Sequence, residues 1–500
     1  MKYVIGLDNG GTVVKAALFD IQGKELCVAS SQTPIETPHP GFTERDMDSL
    51  FMTNCQCVKE VIEKSKVDVN DIVGMSVCGH GKGLYAWGKD NKPAYNGIVS
   101  TDGRAWRYPM KWDKEGITEK YLDKTCQSFI ACQQAPLLAW LKDNDRAVYD
   151  NIKYVFSVKD YIRFRLTGEA YCEATDISGS GLMNIKDKCF DKQMLEDMGI
   201  GEMFECLPKI VYSYEKCGKI TSEASKLTGL KEGTAVAAGM FDIDSCAVAM
   251  DVTTPDKLCV ITGTWSINEY ISTEPVFNLA KSRNSLYAVP GYYLIEEGSA
   301  TGAGNLEWFI TELMNNPKRT GDLYDDIAHK LSSIDPEECD VYYLPFLYGC
   351  NTHPLGKASF IGLTSFHNIY HMLLAVYEGV AFGHRLHIER LLEKRERPTA
   401  IRIGGGAMKS KFWAQLFADI LNMPIETVTG VKELGALGCG MSACVAAGVY
   451  KNYEEAASNM VHVNAPLMPN PQKAEIYEKK YQKYKALCNA LDTVWDKFTV

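Results

Sequence analysis

Apolar residues in this chain come in short runs cut by glycine, and the first run sets the pattern. Tyr3, Val4, Ile5 and Leu7 make a strand-length stretch that breaks at Asp8, Asn9, Gly10, Gly11 and Thr12, after which apolar residues resume at Val13, Val14 and 16–19. This predicts a strand, a tight glycine turn and a second strand running back antiparallel. Other strand-like runs fall at 73–77, 258–261, 292–295 and 400–403. Helical spacing predicts one long helix from His371 to about Lys394, with Leu373, Val376, Val380, Leu386 and Ile388 among its apolar positions, and another after Gly406, with Phe412, Leu416, Ile420 and Leu421. Strands and helices alternate throughout, which predicts an α/β protein. Small polar residues and a proline at 251–255 place a boundary between two strand-bearing halves, residues 1–250 and 251–500.

Composition narrows the function classes. A formal charge of −10 over 500 residues argues against a general nucleic-acid binder. No run reaches the roughly 18 to 20 apolar residues that span a bilayer, and the N-terminus lacks the pattern of a signal peptide, so a cytoplasmic chain with no membrane partner is expected. The 17 cysteines are scattered and odd in number, as expected of reduced, mainly buried thiols. The Cys and His residues show no metal-ligand spacing, so no zinc site is expected.

The glycine turns carry the first chemical signal. Gly10 and Gly11 lack the β-carbon that would hold backbone N–H groups away from phosphate oxygens, and Thr12 and Lys15 add a hydroxyl and a cation. One such pair is an ordinary turn. The second half repeats the device at 257–270, where a strand enters Gly263 and Thr264 and another leaves. Two such hairpins suit two related domains gripping a phosphate chain across a nucleotide cleft. A third cluster, Gly404, Gly405, Gly406 and Ala407, lies between a strand and a helix starting near Ser410, where backbone can approach a flat ligand closely.

These segments, with others, resemble the FGGY carbohydrate kinases of the actin-like ATPase superfamily from about Tyr3 to Val449. The most specific stretch is 358–363, then seven residues, then 371–378, which fits the family's C-terminal signature. Gly404 to Ala407 with Ser410, Trp413, Gln415 and 418–421 resembles its adenosine motif, and 433–438 the helix start that follows. The resemblance implies two actin-like (ribonuclease H-like) domains flanking a central nucleotide cleft. It also implies ATP and Mg²⁺ as cofactors and a small-molecule sugar as substrate; family members are often homodimers.

The resemblance further implies roles for residues. The adenosine side of ATP would lie against Gly405, Gly406, Ala407 and Ser410. Its phosphates would lie at Gly10, Gly11, Thr12, Lys15, Gly263 and Thr264, with Gly302 nearby, and Asp8 would orient the waters of Mg²⁺. Asp242 matches the catalytic base, and phosphoryl transfer to an alcohol does need a carboxylate to take the hydroxyl proton. Asp244 lies two residues on and reads instead as an acid at a helix N-terminus. Sugar contacts would come from His80, Lys82, Asp102 and Arg104. Two departures from the family pattern, Ser100 for tryptophan and Leu137 for lysine, bear on the sugar and not on phosphoryl transfer.

Lys82, the segment opening at Ser100 and residues 40–46 look most like the L-xylulose or 3-keto-L-gulonate kinase branch. Xylulokinase, ribulokinase and polyol kinase branches stay open. Glycerol kinase is disfavoured because its arginine–glutamate substrate pair is missing. The competing class is an actin-like or chaperone-type ATPase acting on a protein partner, which would need neither the Asp102 and Asp242 pair nor the C-terminal signature.

Overall fold

The structure, a computed structural model, describes residues 1–498 apart from 264, 278–282, 317–320, 351, 354 and 394. Two mixed sheets organise the chain. The first contains β1 (Tyr3–Asn9), β2 (Val13–Asp20), β3 (Glu25–Gln32), β4 (Ile72–Gly79), β5 (Lys216–Lys219) and β6 (Ala235–Ala237), in the order β5-β6-β4-β1-β2-β3, with β7 (Met240–Phe241) also pairing β4. The second contains β8 (Leu258–Thr262), β9 (Ser266–Ser272), β10 (Arg283–Leu286), β11 (Tyr293–Ser299), β12 (Ile401–Gly405) and β13 (Ile425–Glu426), in the order β10-β11-β9-β8-β12-β13. Each sheet begins with an antiparallel hairpin whose first strand also pairs with a later parallel strand: β1 with β4, and β8 with β12. The repeated topology makes the two halves structurally related.

The interior strands are apolar on both faces because helices cover both. In β1, Val4, Ile5 and Leu7 are all buried, and α1 (Met47–Ser65) lays Leu50, Phe51, Val58 and Val61 against this sheet. The Asp46 side chain caps α1 by accepting from the Ser49 N–H at 2.6 Å. The long apolar pattern in the second half forms α5 (Ile369–Leu392), after α2 (Val158–Thr167), α3 (Ala174–Ile177) and α4 (Asp242–Ala249). Ser410 caps α6 (Lys411–Leu421), accepting from the Trp413 N–H at 3.3 Å.

One helix crosses the sequence boundary in space. α7 (Leu434–Ala446) belongs to the second half of the chain but packs on β1 and β4 of the first sheet, and against α4. Glycines permit the contact: a β-carbon on Gly6 would stand 1.8 Å from the Ala436 carbonyl, and one on Gly438 would stand 2.1 Å from the Ser245 carbonyl. The buried cluster there joins Val4, Ala17 and Phe19 of the first sheet to Leu437 and Met441 of α7 and to Cys259 and Leu294 of the second sheet. All 17 cysteines are free thiols, most of them buried. Among the described residues, no helix is long and apolar enough to cross a membrane.

Candidate active site

Both glycine hairpins form. β1 and β2 pair from Tyr3↔Asp20 to Asn9↔Val14, and the turn closes by Gly10 N–H donating to the Val13 carbonyl at 3.1 Å. Arg45 donates to the Gly11 carbonyl, and the Thr33 N–H to that of Thr12 at 2.9 Å, which stiffens the turn from behind. In the second hairpin the Gly263 N–H donates to the Trp265 carbonyl at 3.2 Å, while the Gly263 carbonyl accepts from Ala303 at 2.8 Å. Thr264 lies outside the described residues. The Gly302 carbonyl takes both the backbone N–H and the side-chain amide of Asn305, each at 3.1 Å.

Asp8 ends the apolar part of β1, half-buried, beside the N-terminus of α7. A β-carbon on Gly435 would lie 2.6 Å from its Oδ2, and the Cys78 thiol donates to its Oδ1 at 3.4 Å. Burial raises the pKa of Asp8, and the Lys15 ammonium partly offsets this. Lys15 itself pairs with Glu433 at 2.7 Å. Burial acts to lower the Lys15 pKa, but Glu433 and Asp8 more than reverse it and hold the lysine protonated. Its cation is therefore paired at the head of α7 and not left free.

Gly405 has φ +101°, and its missing β-carbon would press 2.6 Å from the Thr262 carbonyl, so its role is close packing of β12 on β8. A β-carbon on Gly406 would meet open space. That space is a cavity of about 850 Å³ lined by Gly406, Ala407 and Ser410 on one side and by Phe412, Tyr324 and Leu306 elsewhere. Its size and apolar walls suit a purine nucleoside.

Asp242 is the first residue of α4 and half-buried. The preceding residue is anchored: Phe241 N–H donates to Thr175 Oγ1 at 2.9 Å, and the Thr175 hydroxyl donates to Glu173 Oε2 at 2.7 Å. Glu173 in turn lies 3.3 Å from the buried ammonium of Lys159, which also pairs with Asp160 at 3.0 Å and Asp176 at 3.6 Å. Burial, then the charges of Asp8 and Asp176, push the Asp242 carboxyl well above the usual carboxylate range. A carboxylate so raised accepts a proton more readily than an ordinary aspartate. Asp244 diverges from it, fully buried, with Oδ1 accepting the Ala288 N–H at 3.0 Å.

The sugar-side residues are placed unequally. Lys82 has φ +64° between two glycines and points its Nζ to 3.5 Å from Glu296 Oε1 and 5.3 Å from the Phe241 ring centroid, beside Asp242. His80 is buried, with Nε2 3.0 Å from the Tyr85 hydroxyl; burial, then Arg45, push its pKa down to about 3, so it is neutral. Asp102 was expected to offer a free acceptor to the sugar. Instead its two oxygens take four donors: the Thr43 N–H (2.7 Å), the Arg104 N–H (2.9 Å), Arg104 Nε (2.9 Å) and Arg104 Nη2 (2.8 Å). That fills the acceptor capacity of a carboxylate. Arg104 also pairs with Glu44 at 2.7 Å and stacks 4.1 Å over Phe42. The Asp102–Arg104 pair thus holds its loop. Thr175, Asp176, Arg283 and Glu296 are near the site and were not singled out from sequence, whereas Gly435 falls in the 433–438 segment read there as a helix start. Two acids, Glu296 and Glu297, in an otherwise apolar strand were the one available signal.

Two hairpin-led sheets, a nucleoside-sized cavity and a half-buried aspartate at the head of α4 fit a phosphotransferase of the actin-like ATPase fold. The profile described as "FGGY family of carbohydrate kinases, N-terminal domain" matches residues 3–249, and that for the C-terminal domain matches residues 258–447. The chain belongs to the FGGY family of carbohydrate kinases and is an ATP-dependent sugar kinase. It is 34% identical over 496 residues to a protein named "Probable L-xylulose kinase" from Haemophilus influenzae, covering 98% of this chain and 99% of that one. It is 35% identical over 492 residues to the "L-xylulose/3-keto-L-gulonate kinase" of Escherichia coli, covering 98% and 97%. A ligand-bound xylulose kinase structure from Lactobacillus acidophilus superposes with a TM-score of 0.89 at 26% identity, covering both chains in full.

Proposed function

We propose that the enzyme transfers the γ-phosphoryl of ATP to a primary hydroxyl of a ketose, with L-xylulose or the related 3-keto-L-gulonate as the sugar, and that Asp242 is the base. The observation that carries this is the setting of Asp242: half-buried at the head of α4, its carboxyl raised by burial and then by the Asp8 and Asp176 charges, with Lys82 over the ring of the adjoining Phe241. The names of the two relatives above support the choice of sugar.

In this reading residues 1–250 supply the sugar site, the base and one phosphate turn, and residues 251–500 supply the adenosine cavity and the second turn. The backbone N–H groups of Gly11 and Thr12 hold phosphates, while Gly10 and Gly263, whose own N–H groups close the turns, shape the two hairpins for that contact; Thr264 is the expected hydroxyl contact of the second hairpin. Asp8 fits a Mg²⁺ site, because a single half-buried carboxylate suits an ion that keeps most of its waters. Bound there, Mg²⁺ would neutralise phosphate charge. Lys82 donates to sugar oxygens, while Asp102 and Arg104 act by fixing the wall of the site. His80, neutral and tied to Tyr85, supports the Lys82 loop. The hydroxyl oxygen attacks the γ-phosphorus as its proton passes to Asp242, the bond to the β–γ bridging oxygen breaks, and ADP leaves.

The test is sugar-stimulated ADP release over a panel of ketoses and polyols, with wild type and Asp242→Asn. L-xylulose should stimulate release, and the variant should lose about 10² to 10⁴ in turnover while still binding ATP. A variant with near-normal turnover rejects the base. Release stimulated by a protein and by no sugar would favour the partner-driven class.

A further inference from the structure

Glu296 lies on the second sheet yet reaches the Lys82 loop of the first half of the chain. Its Oε1 is 3.5 Å from Lys82 Nζ and 3.7 Å from Nη1 of Arg283, its cross-strand partner on β10. Both separations exceed hydrogen-bond length, so two cations surround one carboxylate oxygen without a direct hydrogen bond to it. The carboxylate balances both cations through space at ion-pair distance.

The scaffold under each member is rigid. Lys82 adopts a left-handed backbone that side-chain-bearing residues avoid. The glycines beside it are crowded: β-carbons on Gly81 and Gly83 would stand 2.5 Å from the Phe241 ring and 2.4 Å from the Ile98 carbonyl. Strand β10 and the residues after it are fastened to the first half of the chain at several points. Asn284 Nδ2 donates to the Cys126 carbonyl at 2.8 Å, Gln127 Nε2 to the Asn284 carbonyl at 3.1 Å, and the Leu286 N–H to Ser178 Oγ at 2.9 Å. The contact with Lys82 is thus not what holds the two halves together. Glu269, the neighbour of Glu296 on β9, is buried, and burial followed by the Glu296 charge pushes its carboxyl well above the usual range. Glu296 is the acid that faces the cations.

We propose that Glu296 is a specificity-determining residue: it occupies, as a built-in carboxylate, the Lys82 and Arg283 cations that would otherwise bind a carboxylate on the sugar, and so favours neutral ketoses over acidic ones. This rests on the reading that the sugar lies beside Asp242 and Lys82. A neutral ketose can use Glu296 as a hydroxyl acceptor. An acidic ketose must compete with it for the same two cations, against like-charge repulsion.

The test is Glu296→Gln, nearly isosteric, with kcat/KM measured for neutral L-xylulose and for 3-keto-L-gulonate, which carries a carboxylate. Freeing two cations for a charge-assisted hydrogen bond should shift the ratio of kcat/KM values toward the acidic sugar by about tenfold or more, mainly through its KM, and added salt should shrink the shift. Adding Arg283→Gln to that variant should remove most of the gain. A ratio that stays within about threefold in a folded variant, or an equal loss on both sugars, overturns the proposal. If Glu296→Gln does not fold, Arg283→Gln alone decides, since it should cost the acidic sugar more than the neutral one and an equal loss overturns the proposal. A wild-type enzyme inactive on both sugars overturns the reading of the site and Glu296 with it. An active wild type whose ratio does not move overturns Glu296 alone.

Discussion

Gly435 tests the geometry around Asp8 by a single methyl group. A β-carbon there would lie 2.6 Å from Asp8 Oδ2 and 3.0 Å from its Cγ, where ordinary contact begins near 3.4 Å, so something must yield by about 0.8 Å. The helix cannot. Gly438 is already against the Ser245 carbonyl, the Ser245 hydroxyl donates to the Gly435 carbonyl at 2.7 Å, and Ala436 is seated over Gly6. The displacement falls on the Asp8 carboxylate, whose other side meets the Cys78 thiol. A misplacement of about 1 Å in a positioning group can cost about a hundredfold in rate, or roughly 2.7 kcal/mol. Alanine is also a better helix former than glycine by about 1 kcal/mol, so lost helix stability is not the expected cause. Gly435→Ala should therefore lower kcat by about two orders of magnitude and raise the Mg²⁺ concentration needed for half-maximal rate, with the sugar KM within about threefold of wild type. The readout is steady-state ADP release at varied Mg²⁺ and sugar, with thermal unfolding as the control. A folded variant with kcat within threefold of wild type would mean that Asp8 moves freely or lies outside the chemistry.

Asp242→Asn carries a second signature, in stability. Burial, then the Asp8 and Asp176 charges, raise the folded-state pKa of Asp242 above its unfolded value, so its contribution to stability is fully present below the unfolded pKa and is lost as pH rises through the folded one. The asparagine variant does not titrate there, so its melting temperature relative to wild type should rise as pH climbs above the ordinary carboxylate pKa of about 4; a flat difference refutes the raised pKa. Thr175→Val keeps side-chain shape but removes the acceptor of the Phe241 N–H, an orphaning worth about 1–3 kcal/mol, and should lower kcat more than it changes either KM. A lower melting temperature with unchanged kcat would reduce Thr175 to a structural role. Gly406→Val places an isopropyl group in the 850 Å³ cavity and should raise the ATP KM while sparing the sugar KM; an unchanged ATP KM would move adenosine elsewhere.

The parts of the fold legible in sequence are those decided by neighbours along the chain. Both hairpins, the strand at 401–405 and the helix Ile369–Leu392 follow from runs and periods that local sterics and burial convert directly into structure. The site was legible as residue types and less so as free valences. Asp102 and His80 stand in the expected loops, but Arg104 fills the acceptors of Asp102 and Tyr85 takes a ring nitrogen of His80. Such pairings depend on side chains converging from different segments, which no local pattern records. Glu296 and Arg283 meet only because β10 and β11 pair in one register. A slip of either strand by one residue would put the two side chains on opposite faces of the sheet.

The same limit explains α7, and there it bears on mechanism. A small-residue helix at 434–446 reads naturally as part of the half that contains it, yet it docks on β1 and β4, and its N-terminus touches three separate functional elements. Glu433 holds Lys15, Gly435 abuts Asp8, and the Gly435 carbonyl takes the hydroxyl of Ser245, three residues beyond Asp242 on α4. The proposed metal carboxylate and the proposed base are thus positioned from one packed point, with glycine contacts too tight to slide. The proposed adenosine cavity is built from other segments, around α6 and residues 303–307. If the two halves close on ATP, the spacing between Asp8 and Asp242 should stay constant while the cavity and the second hairpin approach them. Substitutions that thicken α7 at Gly435 or Gly438 should then damage turnover, whereas those that fill the cavity at Gly406 should damage nucleotide binding, and the two classes should add when combined because they share no contact.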